Sequence, residues 1–232
     1  MTQQPARYVA LIPAAGVGSR MGASTPKQYM QIAGQPMLRR TIDAFLSCDR
    51  IAHTFVVVSE DDGYIGDIVP QGGVTVLRCG GATRMESVRN GLVAMRSELR
   101  DEDLVLVHDA ARPGLTASLI EKLIESVGDD PAGGLLALPV VDTVKRRGDR
   151  VQTVPREGLW LAQTPQMFSY RLLRDALAAA PDAAAITDDA SAIEALGLSP
   201  RLVEGHPRNL KVTLPADIRI AEMYLAAPEN RE

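Results

Sequence analysis

Cysteine is scarce in this chain. Cys48 and Cys79 are the only two among 232 residues, and they share no C-x-x-C spacing. That excludes a disulfide framework and a zinc cluster, and leaves two reduced, packed thiols. Aromatic residues make up 4% of the chain, too few for the stacking platforms that hold single-stranded nucleic acid. No apolar run approaches the roughly 18 residues of a membrane helix, and the N-terminal Met1 to Arg7 has no apolar signal-peptide core. A basic excess is also lacking. The formal net charge of -4 disfavours general attraction to nucleic acid or anionic membranes. The expectation is a cytoplasmic protein with no nucleic-acid or membrane partner, whose anionic ligands are held by local cations.

Apolar residues supply 46% of the chain, enough for a substantial core. The richest stretch runs from Ile12 to Tyr29. An apolar run, Val9 to Ile12, ends at Pro13; Gly16, Gly18 and Gly22 follow, then Arg20 and Lys27. Glycines let a backbone approach a ligand closely, and the N–H groups of such a loop form a nest for oxyanions. The two cations point to a polyphosphate. The spacing misses the dinucleotide pattern G-x-G-x-x-G by one residue, and no Gly-Lys-Ser/Thr follows as a P-loop requires. Read alone, the loop is equally a structural turn with two solvated cations.

Short β-prone runs alternate with helical patterns. The runs Tyr8–Ile12, Thr54–Ser59, Val74–Arg78, Leu104–His108 and Leu135–Val140 are mostly unalternated, as in strands buried on both faces. Helical spacing marks 36–48, 84–99 and 116–127, then a helix near 170–179, another at about 188–196, and a last one opened by Pro215. A strand is expected at 209–213. The alternation predicts a single α/β domain over 1–232 with a doubly wound, mainly parallel, Rossmann-like sheet, its ligands beyond the carboxyl ends of the strands. Residues 142–154 break the pattern. They read as a polar hairpin around Gly148-Asp149, with too little apolar content to bury itself. It is expected to pack on another subunit; the plain alternative is a surface loop.

Further clusters carry chemistry. His108 to Pro113 reads H-D-A-A-R-P. Asp109, at a strand end, suits a divalent ion with phosphate oxygens, and Arg112 offers a fork for a phosphate. His108, at a strand edge, reads as a packed residue and not as a base. Gly80 to Val88, G-G-A-T-R-M-E-S-V, ends a strand and opens a helix, a second close-approach site. Its Ser87 suits a base or sugar, or a backbone cap. Gln163-Thr164-Pro165-Gln166 is a fourth cluster. Ile186 to Ser191 holds Thr187 and two aspartates that serve equally as a helix start. Asn209 to Thr213 places Lys211 inside a β-prone run.

These motifs, in this order, resemble those of the 2-C-methyl-D-erythritol 4-phosphate cytidylyltransferase family, over about Tyr8 to Leu225. The first motif alone marks nucleotidyltransferases in general; the full set is more specific. The resemblance implies transfer of CMP from CTP to the 4-phosphate of methylerythritol, with release of pyrophosphate and a requirement for Mg2+. It implies CTP binding by Ala14, Ala15, Gly16, Gly18, Gly81, Ser87, Asp109 and Ala110, with Asp109 on the metal. Arg20 and Lys27 are then the transition-state cations, and Arg156 and Lys211 the remaining catalytic ones. The sugar phosphate falls to Arg112, Thr143, Arg156, Thr164, Thr187 and Lys211. A homodimer is implied too, through an arm at about 141–162 that carries Thr143 and Arg156 to the partner's site. In fused relatives a cyclodiphosphate synthase follows such a domain; its activity is not expected here.

The chemistry agrees with that implication. A phosphate monoester has its second pKa near ~6, so its oxygen is already an anionic nucleophile at pH 7 and needs no general base. Bringing two polyanions together calls for positioning and cations. The rival readings are a ribitol 5-phosphate cytidylyltransferase or another sugar-phosphate nucleotidyltransferase, and a non-catalytic nucleotide-binding regulator.

Overall fold

The computed structural model describes residues 5–16, 25–180 and 186–227. Gly18 and Arg20 lie outside the described residues. In chain order, β1 (Tyr8–Pro13) is followed by the short pair β2 (Gln31–Ile32) and β3 (Gln35–Pro36), then α1 (Met37–Leu46), β4 (Ile51–Val57) and β5 (Val74–Leu77). Next come α2 (Arg84–Ala94), β6 (Leu104–Val107), α3 (Ala117–Val127) and β7 (Gly134–Pro139). A hairpin of β8 (Val144–Arg147) and β9 (Val151–Val154) precedes β10 (Trp160–Ser169). The chain continues with α4 (Tyr170–Ala179), α5 (Asp189–Glu194), β11 (Arg201–Glu204) and α6 (Pro215–Ala226).

The main sheet has the order β11-β7-β10-β6-β1-β4-β5. Every pairing is parallel except those that β10 makes with β6 and β7. From β1 the chain steps outward to β4 and β5, then returns to place β6 on β1's other edge. The loops leaving β1 and β6 therefore diverge and open a crevice beyond their carboxyl ends. Ala14 follows one strand and His108-Asp109 the other.

Side chains alternate across a strand, so the sheet feeds two cores. Ala10 and Ile12 of β1 pack with Leu38, Ile42 and Phe45 of α1 and Ile120, Leu123 and Ile124 of α3. Val9 and Leu11 pack with Val88 and Leu92 of α2 and Leu173 and Leu177 of α4. Helices on both faces explain the unalternated apolar runs. A third, small cluster of Ile32, Met37, Ala111, Val212 and Ala221 seats α6 against the H-D-A-A-R-P turn.

The elements start where their caps dictate. Thr83 accepts the Glu86 N–H while Glu86 reaches back to the Thr83 N–H, a full capping box for α2. Thr116, Ser169 and Asp188 cap α3, α4 and α5 through their side-chain oxygens.

Several boundaries differ from the sequence reading. β4 begins at Ile51, three residues early, because Tyr8 pairs with it. α2 stops at Ala94, short of Leu99, and the chain turns so that Glu98 O accepts Arg7 Nη2 at 2.6 Å. No strand forms at 209–213. Pro207–Asn209 is a 3-10 turn, and the following backbone is bound singly: the Val212 N–H donates to Ala111 O at 2.8 Å. A β-prone run without a neighbouring strand makes no ladder. β10 and β11 were not anticipated. Pro165, which cannot donate to a ladder, hid β10. Pairing with β7 breaks there, between Ala162 and Gln166.

The 142–154 hairpin is present, and β8 and β9 pair with each other alone. Around it Val141, Val151 and Leu161 are 72%, 70% and 59% exposed, an apolar surface left open among the described residues.

Candidate active site

The first wall of the cleft is the exit of β1. The Ala14 N–H donates to Val57 O at 2.7 Å, holding the exit on β4. Buried Gln28 donates from Nε2 to Ala14 O at 2.7 Å. It thereby ties that exit to the Lys27–Tyr29 turn. Tyr29 anchors the far side of the turn, donating to Asp62 Oδ2 at 2.7 Å and stacking on Tyr64. Burial, with the Asp62 carboxylate, raises the Tyr29 hydroxyl far above its ordinary pKa, so it remains a donor. Lys27 Nζ donates to Val212 O at 2.7 Å across the cleft.

The second wall is the Gly80-Gly81 turn. A Cβ on Gly80 would overlap the side chain of Ala15 and crowd Val58 O, so only glycine lets this turn lie against the first loop. Ser87 braces the turn from below: its Oγ accepts the Gly81 N–H at 3.1 Å and donates to Thr83 O at 2.9 Å. The backbone-cap reading of Ser87 is therefore realised. With its hydrogen spent on Thr83, the hydroxyl has only an acceptor lone pair left to offer.

The floor is Asp109. Its Oδ1 accepts Arg84 Nε at 2.7 Å and its Oδ2 accepts Lys211 Nζ at 2.8 Å, with Arg112 Nε 3.6 Å away. Burial acts to raise this carboxyl, but Arg84, Lys211 and Arg112 outweigh it and hold it far below the usual carboxylate range. Arg84 also reaches Asp189 Oδ2 through Nη2 at 2.8 Å. Asp189 is buried, which raises its pKa against the pull of that guanidinium.

Behind the floor lies a polar layer closed on itself. The Asp109 N–H donates to Thr164 Oγ1 at 3.1 Å, and Thr164 Oγ1 lies 2.9 Å from His108 Nδ1. His108 Nε2 lies 3.4 Å from Arg112 O, which can only accept. The proton of the ring is thus on Nε2, and Thr164 donates to Nδ1. Burial depresses His108 to about 3, so it is neutral and spent: a packed histidine, as the sequence indicated. Arg112 is buried and donates from Nη1 to Asn209 O at 2.7 Å. Asn209 in turn donates to Thr164 O at 2.7 Å. These bonds place Lys211, two residues on.

One cleft is lined by Ala14, Ala15, Gly16, Gly81, Ser87, Asp109 and Ala110, with Lys27 and Lys211 at its edges. Thr187 lines an adjoining hollow with Thr83, Arg84 and Asp189. Arg112 and Thr164 sit beneath the floor. Thr143 and Arg156 are exposed on the arm, where Arg156 Nη1 donates to Val141 O, and they line neither hollow. Arg20 and Gly18 remain outside the described residues.

Sequence reasoning gave no site role to Arg84 or Gln28, and read Asp189 only as part of a helix start. Arg84 had a usable signal: a cation in a helix's first turn opposes the macrodipole, so it is there for another partner. Gln28 and Asp189 gave no such sign.

The donor set bears on a metal. Among the described residues no group of three or more His, Cys, Asp or Glu is placed to hold an ion. Asp109 stands as a single carboxylate at the cleft floor. That suits Mg2+, which keeps several waters and binds through one or two carboxylates plus substrate phosphates.

A glycine-walled crevice at the switch point of a parallel sheet, with Lys211, Arg84 and Arg112 converging on one carboxylate, defines an α/β nucleotidyltransferase. The profile described as IspD, 2-C-methyl-D-erythritol 4-phosphate cytidylyltransferase, matches residues 8–227, and the chain belongs to that family. It is 50% identical over 227 residues to the enzyme of that name from Nitrosomonas eutropha, covering 94% of this chain and 97% of that one. Identity to the enzyme of the same name from Paraburkholderia phytofirmans is 51% over 232 residues, covering 96% and 97%. The fold matches a crystal structure of 4-diphosphocytidyl-2C-methyl-D-erythritol synthase with a TM-score of 0.84 at 40% identity, over 96% of this chain and all of that one.

Proposed function

We propose that this chain transfers CMP from CTP to 2-C-methyl-D-erythritol 4-phosphate, giving 4-diphosphocytidyl-2-C-methyl-D-erythritol and pyrophosphate. The observation that carries the reading is the convergence of Lys27, Lys211 and Arg84 on a glycine-walled cleft whose histidine is buried and neutral. A phosphate oxygen of the acceptor attacks the α-phosphorus. The new P–O bond forms as the bond to the bridging oxygen breaks, and the electron pair leaves with pyrophosphate. No proton has to move, so a site of cations without a base is sufficient.

The backbone of Ala14, Ala15, Gly16, Gly81 and Ala110 receives CTP, and Ser87 accepts a donor from it. Lys27, with Arg20, neutralises charge developing on the phosphates. Asp109 would hold Mg2+, which supplies further neutralisation when bound. Lys211 and Thr187 meet the acceptor phosphate, while Arg112 and Thr164 shape its floor. The exposed apolar surface of the arm supports a homodimer in which Thr143 and Arg156 reach the partner's cleft. Two unbridged cysteines support the cytoplasm as the compartment, and no helix among the described residues is long and apolar enough to cross a membrane.

The test is release of pyrophosphate from CTP with methylerythritol 4-phosphate and, in parallel, ribitol 5-phosphate. Turnover with the first acceptor and little with the second is expected. Preference for ribitol 5-phosphate overturns the acceptor assignment, and no turnover with any sugar phosphate overturns the reaction.

A further inference from the structure

Asp189 has no part in the reaction as derived above, yet its side chain is 1% exposed at the first position of α5. It is not needed as a cap. Asp188 does that work, accepting the Ser191 N–H on Oδ1 and Gln166 Nε2 on Oδ2. Gln166 Oε1 accepts the Ala190 N–H at 2.7 Å. The Asp189 carboxylate turns instead to Arg84 Nη2, 2.8 Å away, while Nε of the same guanidinium holds Asp109 at 2.7 Å. Two buried carboxylates thus share one rigid fork.

Burying a second charge here is costly, and an asparagine would accept the same hydrogen bond. The charge itself is what asparagine could not supply. Arg84, Arg112 and Lys211 are three cations around two carboxylates, leaving a formal excess of one positive charge. Without the Asp189 charge the excess is two. Such a surplus repels a divalent cation and attracts a bare triphosphate.

We propose that Asp189 is a positioning residue that makes Asp109 receptive to a divalent cation. It draws one side of the Arg84 fork away from Asp109 and lowers the local positive charge. The proposal rests on the reading that Asp109 holds the metal of a CTP-using site.

Binding of Mn2+ in the presence of CTP, followed as the loss of the free-ion EPR signal beyond that caused by the same CTP without protein, tests it on the full chain. Binding of CTP in EDTA is followed by calorimetry. In Asp189→Asn the Mn2+ half-saturation concentration should rise on the order of tenfold, the scale for removing a unit charge near a divalent ion in a partly screened site. Affinity for metal-free CTP should hold or improve. Asp189→Glu, which keeps the charge, should bind Mn2+ much as the natural chain does. If the Asn variant does not fold, Asp189→Ser removes the charge with a smaller side chain and carries the same expectation. A structural role alone predicts parallel loss of Mn2+ and metal-free CTP, and that result overturns the proposal, as does unchanged Mn2+ binding in the Asn or Ser variant. If the natural chain with CTP takes up no Mn2+, the metal reading of Asp109 fails first and this inference with it.

Discussion

Lys27 and Lys211 stand on opposite edges of the cleft and hold different partners. Lys27 donates to a neutral carbonyl and Lys211 to the Asp109 carboxylate. In Lys27→Ala, kcat should fall by about two to three decades, the scale for one preorganised electrostatic contact, while CTP affinity changes far less. Near-normal turnover in the folded variant removes Lys27 from the mechanism. His108 makes the opposite prediction. Its folded pKa, about 3, lies below the unfolded value of 6.5, so the unfolded chain binds the extra proton between them. Stability contributed by neutral His108 is complete above about pH 6.5 and is lost as pH falls toward 3. His108→Gln, which can still accept at one atom and donate at another, should flatten that acid loss in urea titrations between pH 6.5 and 4.5. A variant that loses stability with acid just as the natural chain does would show that His108 is not the proton sink. Any fall in kcat/KM near pH ~6 belongs to the acceptor phosphate, and persists in the variant. At this scale Gly16, Gly81, Lys27, Asp109 and Lys211 were legible because charge and small size are visible in a sequence. Gln28 and Asp189 were not, since a partner 14 or more residues away decides what a neutral amide or a helix-starting aspartate does.

Elements place these residues through close approach. Gly114 follows the H-D-A-A-R-P turn, and a Cβ there would run into Arg208 O of the Pro207–Asn209 turn. That turn leads to Lys211. Gly114→Ala should cost about 1–3 kcal/mol, as overpacking does. It should also raise KM for the acceptor more than for CTP, because the first loop is untouched. Equal rises in both KM values would place the Gly114 contact outside acceptor binding. The same junction shows why part of the fold escaped the sequence. Parallel strands covered on both faces are apolar runs and declare themselves, as β1, β6 and β7 did. β10 alternates between pairing and a break at which Gln163, Thr164 and Gln166 each bind a different segment. Its polar residues serve the site, so its pattern reads as a loop. β11 is four residues long with only Val203 buried, too short to show a period. The 209–213 run had strand propensity but spends its backbone on Ala111, Arg112 and Lys27 instead.

At the scale of the whole molecule, the chain alone accounts for the cleft but not for the arm. The central sheet is covered on both faces, whereas among the described residues β8 and β9 pair as strands only with each other and leave Val141, Val151 and Leu161 exposed. A two-stranded hairpin is marginal alone, and a twofold mate would bury the same patch on both copies. Arg156 would then act in the partner's cleft, which separates it from Lys27 in a testable way. Arg156→Ala and Lys27→Ala should each be nearly inactive as homodimers. In a mixed dimer one cleft collects both lesions and the other has an intact Lys27 and an intact Arg156. Random re-pairing of equal amounts makes half the dimers mixed, so co-refolding should restore about a quarter of the natural activity. Sedimentation of the mixture reports whether dimers have formed. A dimeric mixture that regains nothing places Arg156 in its own subunit's site and removes the exchange of arms from the mechanism.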